Sequence, residues 1–334
     1  EAFSDLGVVG DFETSEDYMP YIHGLEGNNV SKGWMVARRG SGTVYTESEF
    51  LFSTSASNYF GTIPYVRSIR SDIPSLVSVL DGQGYYTVGF HPEKGSNYCR
   101  STVWSCMGFD KIMFKDGMTS DIKVCNEYCS DESDFRQLID LYEDNKSKEP
   151  LFLFNVTMQN HSPYAEADSN SRINITSFEA EEDAENYLTY IRETDRAYEQ
   201  LTEYFSKVEH PTIILMFGDH QPGISDRFYE SVYGKNVSQL TNEESLRSIM
   251  VPYIMWTNYD VKINDIGTIS PNYLAPWLLE TAGLEMSGFE QQVWSMLDEY
   301  PVIATNVYMD KSGELHSYGE ENSLPDWLKQ YRLL

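Results

Sequence analysis

Basic residues are scarce: 24 Lys and Arg stand against 52 Asp and Glu in 334 residues, a formal net charge of −28. A surface of that sign repels nucleic acid, which is excluded as a partner, and tolerates an anionic ligand only where local charge compensates. Long apolar runs are missing as well. Nothing approaches the roughly 18 residues that cross a bilayer, and no signal peptide is visible. Cysteine occurs only at 99, 106, 125 and 129, without histidines at zinc-site spacing, so no structural zinc site is indicated. Neither internal repeats nor a long linker divide the chain.

What is present is a 41% hydrophobic fraction, enough for a substantial core. Apolar strand-like runs alternate with helical patterns throughout, which predicts an α/β fold. The run Thr212-Ile213-Ile214-Leu215-Met216-Phe217, closed by Gly218 and Pro222, reads as a buried strand of a largely parallel sheet. Ligands of such sheets bind beyond the carboxyl ends of the strands, which puts Asp219 and His220 where chemistry is expected. Leu151-Phe152-Leu153-Phe154 is a second such run, and it too is followed by a histidine, His161. Gly40-Ser41-Gly42 delivers Thr43 into a helix start, where unpaired N–H groups suit a phosphoryl oxygen. Residues 180–207 carry the longest helical pattern, and its face of Leu188, Ile191, Tyr198, Leu201 and Phe205 reads as core packing.

These blocks, with Glu1-Ala2-Phe3-Ser4-Asp5-Leu6 at the start, resemble the extracellular catalytic domain of the lipoteichoic acid synthase and phosphoglycerol transferase family. That family is a sulfatase-like branch of the alkaline phosphatase superfamily, and the resemblance spans nearly the whole chain. It implies a mixed central sheet flanked by helices over residues 1–285, with a small C-terminal α+β lobe over 286–334. It further implies one divalent metal, manganese with magnesium or zinc as alternatives, held by Glu1, Thr43, Asp219 and His220. Thr43 would be the covalent nucleophile. A fourth block, His91-Pro92-Glu93-Lys94-Gly95-Ser96-Asn97-Tyr98-Cys99-Arg100, completes the match. Arg100 corresponds to the residue that grips the head-group phosphate, and His161 to a histidine contacting the same group. Glu93 and Tyr98 correspond to an acidic and an aromatic position lining the glycerol pocket. Relatives commonly carry Trp-Asn-Arg where this chain has Tyr98-Cys99-Arg100.

The implied reaction moves glycerophosphate from phosphatidylglycerol, through a threonine adduct, to an envelope polymer or a glycolipid acceptor. A phosphodiesterase or phosphatase of the same fold, or a non-catalytic envelope-binding domain, are the alternatives. The Cys-x-Pro-x-Arg segment from which sulfatases make their aldehyde nucleophile is missing, which disfavours sulfate ester hydrolysis. Relatives carry membrane spans ahead of this domain. The expected location is therefore the extracellular face of a bacterial cytoplasmic membrane, as the ectodomain of a membrane protein or a released fragment. In an exported domain the four cysteines read as two disulfides, Cys99 with Cys106 and Cys125 with Cys129, with other connectivities or free thiols as alternatives.

Overall fold

The computed structural model describes residues 1–59, 63–147, 150–164, 166–167, 171–305, 307–318 and 326–331. In chain order its strands are β1 (Val30–Val36), β2 (Tyr86–His91), β3 (Lys111–Phe114), β4 (Val124–Cys125), β5 (Tyr128–Cys129), β6 (Leu151–Asn155), β7 (Ile213–Phe217) and β8 (Met250–Thr257). A last sheet is made by β9 (Val302–Ile303), β10 (Val307–Met309) and β11 (Leu315–Ser317). Strands β3, β2 and β6 pair in parallel, whereas β1, β8 and β7 pair antiparallel. The expectation of a largely parallel sheet around β7 is thereby corrected: β7 runs against β8, with Phe217 opposite Tyr253. An apolar run of five does not encode the direction of its partner, because both kinds of ladder bury it equally well.

Period-two alternation sorts the strands between two cores. Tyr253 and Met255 of β8 join Phe50, Trp104 and Trp277 on one side, while Ile254 and Trp256 join Tyr187, Leu188 and Ile191 on the other. β7 divides in the same way, with Ile213, Leu215 and Phe217 packed on the first core and Ile214 and Met216 on the second. Burial on both faces is why these strands read as continuous apolar runs. The helix Glu182–Phe205 covers the second core with the stripe Leu188, Ile191, Tyr198, Leu201 and Phe205. At the C-terminal end, Val293, Ile303, Tyr308 and Leu328 belong to the first core. No helix among the described residues is long and apolar enough to cross a membrane.

The proposed disulfides are not formed; all four cysteines are free. Cys99 caps the helix Arg100–Met107 and Cys106 lies seven residues on. Two helical turns separate them by about 10 Å, beyond the roughly 7 Å that a disulfide spans between Cα atoms. Cys125 and Cys129 lie on the β4/β5 hairpin, where Cys125 pairs with Tyr128 and Cys129 with Val124. That register points successive side chains to opposite faces, so the two sulfurs do not meet.

Candidate functional site

β7 is followed by Gly218, where a Cβ would lie 2.0 Å from the carbonyl oxygen of Phe3. Glycine there lets the N-terminal segment cross directly over the strand end. Tyr187 pins that segment, its hydroxyl accepting from the Ser4 amide (2.9 Å) and donating to the Ala2 carbonyl (2.7 Å). Ala2, at φ 38°, turns its own N–H onto Asp219 Oδ1 at 2.6 Å. The His220 amide donates to the same oxygen at 2.9 Å, so Oδ1 is committed while the buried Oδ2 has no hydrogen-bond partner. His220 is fixed by its Nδ1, which donates to the Gln221 carbonyl at 2.8 Å. Its Nε2 therefore faces the carboxylates, 3.3 Å from Glu1 Oε1 and 3.3 Å from Asp219 Oδ2.

The helix Thr43–Phe52 brings the hydroxyl. It starts after Gly42, at φ 116°, a backbone value that side chains rarely adopt. Thr43 is buried, and its Oγ1 donates to Glu1 Oε2 at 3.0 Å. Thr46, one turn on, is fully enclosed and spends its hydroxyl on the Asp219 carbonyl at 2.6 Å. The four residues singled out as ligands thus lie together at the end of β7. Two carboxylates and one imidazole present ligand atoms within 4.8 Å of one another, and an orphaned carboxylate oxygen points among them. That donor set fits a divalent cation of intermediate hardness. Burial works against the charge of His220, yet Asp219 and Glu1 push its pKa up to about 9. Burial would raise Asp219, but the His220 cation beside it holds its carboxyl down to about 2. A proton on His220 thus substitutes for the positive charge that a metal would bring.

A second cluster stands beside the first. Arg100 is buried, and its Nη2 and Nε lie 2.9 and 3.0 Å from Glu47 Oε2. Glu47 also accepts from Trp104 Nε1 at 2.9 Å. Arg100 Nη1 meets His91 Nε2 at 3.3 Å, while His91 Nδ1 donates to the Val156 carbonyl at 2.7 Å. Burial and then the neighbouring guanidinium push His91 down to about 3, so it is a neutral acceptor. The Tyr98 ring lies 5.2 Å from the Arg100 guanidinium carbon. His161 donates from Nδ1 to the Ser162 carbonyl at 2.5 Å, and the Tyr128 hydroxyl lies 3.2 Å from that nitrogen. Glu93 is half-buried and paired with Lys115 at 3.2 Å. Sequence reasoning missed Glu47, Trp104 and Tyr128. Glu47 had a signal: it lies four residues after Thr43 in a helix start and so shares its face.

Comparison with known proteins shows the family and the fold. A family model for sulfatases matches residues 7–284. A Rhizobium meliloti protein named for cyclic beta-1,2-glucan modification is 29% identical over 100% of this chain and 53% of its own length. The chain spans about half the length, or less, of the curated relatives it matches. Among solved structures, the Streptococcus pyogenes phosphoglycerol transferase GacH in complex with sn-glycerol-1-phosphate superposes with a TM-score of 0.72 at 23% identity, covering 90% of this chain and 77% of that one. The lipoteichoic acid synthase LtaP of Listeria monocytogenes gives 0.66 at 15% identity, covering 99% and 86%.

Proposed function

This chain belongs to the sulfatase family, within the alkaline phosphatase superfamily, and from that premise we propose that it is a metal-dependent phosphoglycerol transferase. The observation that carries the reading is the meeting of Thr43 with Glu1, Asp219 and His220. Arg100 is buried within reach of their electrostatic field. Glu1, Thr43, Asp219 and His220 would hold one divalent ion, manganese by preference. Its chemistry would be to stabilise the threonine alkoxide and neutralise developing charge on phosphorus. Thr43 already directs its proton to Glu1 Oε2, so the hydroxyl has an acceptor as its oxygen attacks. The bond formed joins Thr43 Oγ1 to phosphorus; the bond broken joins phosphorus to the glyceryl oxygen of diacylglycerol, which leaves with a proton.

Arg100, held from behind by Glu47 and His91, would bind non-bridging oxygens of the phosphate. His161, with Nδ1 occupied by the Ser162 carbonyl, presents Nε2 to the head group. An acceptor hydroxyl then displaces Thr43 at phosphorus, and the threonine regains its proton, which is a ping-pong sequence. The complex of GacH with sn-glycerol-1-phosphate supports the head group. The relative named for glucan modification supports a sugar hydroxyl as acceptor. Without a Cys-x-Pro-x-Arg segment there is no aldehyde nucleophile for sulfate esters. The test is intact-mass analysis after incubation with manganese and phosphatidylglycerol. A phosphoglycerol adduct on Thr43 that an added glycan discharges supports the reading. Free glycerophosphate with no incorporation into any acceptor would make the protein a phosphodiesterase instead.

A further inference from the structure

The β4/β5 hairpin contributes nothing to the cluster at the end of β7, yet it is built against the loop that adjoins it. Its two turn residues, Asn126 (φ 49°) and Glu127 (φ 66°), both take left-handed backbone, as a tight two-residue hairpin turn requires. The buried Asn126 side chain donates to the carbonyls of Gln159 (3.0 Å) and His161 (2.7 Å). The Gln159 side chain accepts from the Asp131 amide at 3.0 Å, where the helix Asp131–Asn145 begins. The loop gripped in this way touches the site at both ends. Thr157 Oγ1 lies 3.2 Å from the Glu1 nitrogen, and Ser162 Oγ lies 3.1 Å from where a Cβ on Gly223 would stand, just beyond His220. Tyr128 is thereby held with its hydroxyl 3.2 Å from His161 Nδ1 and its ring centroid 5.2 Å from that of the imidazole.

The Ser162 carbonyl can only accept, so the proton of the neutral His161 ring sits on Nδ1 and Nε2 is left as a lone-pair acceptor. Tyr128 therefore cannot give its own proton to that ring. At Nδ1 it can only share in accepting, and no other partner of its hydroxyl occurs among the described residues. Burial, then the charges of Glu127, Glu1 and Glu93, raise the Tyr128 pKa, so the phenol keeps its proton and lies within the field of both Glu1 and Glu93. This wall of the site thus offers one donor, the Tyr128 hydroxyl, beside one acceptor, His161 Nε2. A hydroxyl group satisfies both, because it donates and accepts at a single oxygen. A phosphate oxygen only accepts and an ammonium only donates, so each leaves one member of the pair without a partner, at the cost of its desolvation.

We propose that Tyr128 determines specificity: its hydroxyl and His161 Nε2 together bind a hydroxyl group of the substrate, on the glycerol head group or on the incoming acceptor. The inference rests on the phosphoglycerol-transfer reading, which supplies both hydroxyls, and its test does not depend on turnover alone. Calorimetric titration of the 334-residue protein with manganese compares sn-glycerol-1-phosphate with propyl phosphate, which has the same phosphate and no free hydroxyl on carbon. Parent and Tyr128→Phe are measured side by side, since Phe keeps the ring and removes only the oxygen. If the head-group hydroxyl is bound, the parent prefers glycerol phosphate, and Tyr128→Phe weakens that ligand about tenfold while propyl phosphate is unchanged. If the acceptor hydroxyl is bound, both ligands bind the variant as they bind the parent and the Thr43 adduct forms at the parent's rate. Its discharge by an added glycan then slows about tenfold. The proposal is overturned if both ligands weaken alike, as a packing role of Tyr128 would produce, or if neither binding nor discharge changes. A lost preference for glycerol phosphate in a protein whose parent consumes no lipid donor would support the hydroxyl contact and refute the transferase reading separately.

Discussion

Arg100 and Glu47 form an ion pair with almost no solvent contact, Nη2 and Nε lying 2.9 and 3.0 Å from one carboxylate oxygen. Burial alone would lower the Arg100 pKa, but Glu47 more than offsets it and keeps the guanidinium charged. Glu47 rises from the helix that begins at Thr43, so the helix of the proposed nucleophile also aims the arginine proposed to bind phosphate. Removing one partner of a buried pair leaves the other charge uncompensated. Glu47→Ala is therefore expected to cost about 3–5 kcal/mol of stability, read by chemical denaturation. Glu47→Gln keeps the shape and should retain most of the stability. It should still lower kcat/KM at least about tenfold, because a loosened arginine weakens charge stabilisation in the transition state. A Glu47→Gln enzyme with unchanged kinetics would show that Arg100 does not need its aim.

Two threonines one turn apart make different contacts, and substitution should separate their proposed roles. Thr43→Ala removes the hydroxyl that donates to Glu1, so covalent adduct and turnover should both vanish while the melting temperature changes little. Thr46→Ala removes a buried donor from the Asp219 carbonyl, at a cost of about 1–3 kcal/mol. The adduct should still form on Thr43. Peptide mapping of a trapped adduct to Thr46 would reverse the assignment.

The thiols make a chemical prediction. Burial, followed by the neighbouring acidic side chains, pushes both Cys125 and Cys129 up to about 12. At pH 8 both should react slowly with a thiol reagent in the folded protein, since the thiolate is the reactive form. Denatured without reductant, the protein should release four titratable thiols. Two or none would restore the disulfide reading that the hairpin register and the helical spacing oppose.

Much of this architecture was legible because the signals are local. Asp219 and His220 stand directly past an apolar run, Thr43 directly past glycines, and the stripe from Leu188 to Phe205 keeps a helical period. The direction of β7 was not legible, since it depends on β8, which follows more than 30 residues later. The cysteine pairing failed because nearness in sequence says nothing of the face on which a side chain points. Glu47 was within reach, four residues from a residue already singled out. Trp104 and Tyr128 were not, because only tertiary packing brings an indole to a carboxylate or a phenol to His161.

The last prediction follows from the proton on His220. Its folded pKa, about 9, stands above the unfolded value near 6.5, so the group stabilises the metal-free protein fully below pH 6.5 and progressively less as pH rises through 9. The melting temperature of chelator-treated protein should therefore fall between pH 6.5 and 9.5. The share from His220 is about 3 kcal/mol, the linkage equivalent of that shift. Asp219 behaves oppositely: held at about 2, it contributes above its unfolded value near 3.8 and fails only as pH falls through 2, outside this window. A cation competes with the His220 proton, so manganese affinity should strengthen over the same rise in pH, and the stabilisation from added manganese should grow as the metal-free protein weakens. Replacing His220 with Gln should flatten both trends together. If metal-dependent stabilisation kept its full pH slope in His220→Gln, the imidazole would not be a ligand. The cluster at the end of β7 would then be a structural ion pair.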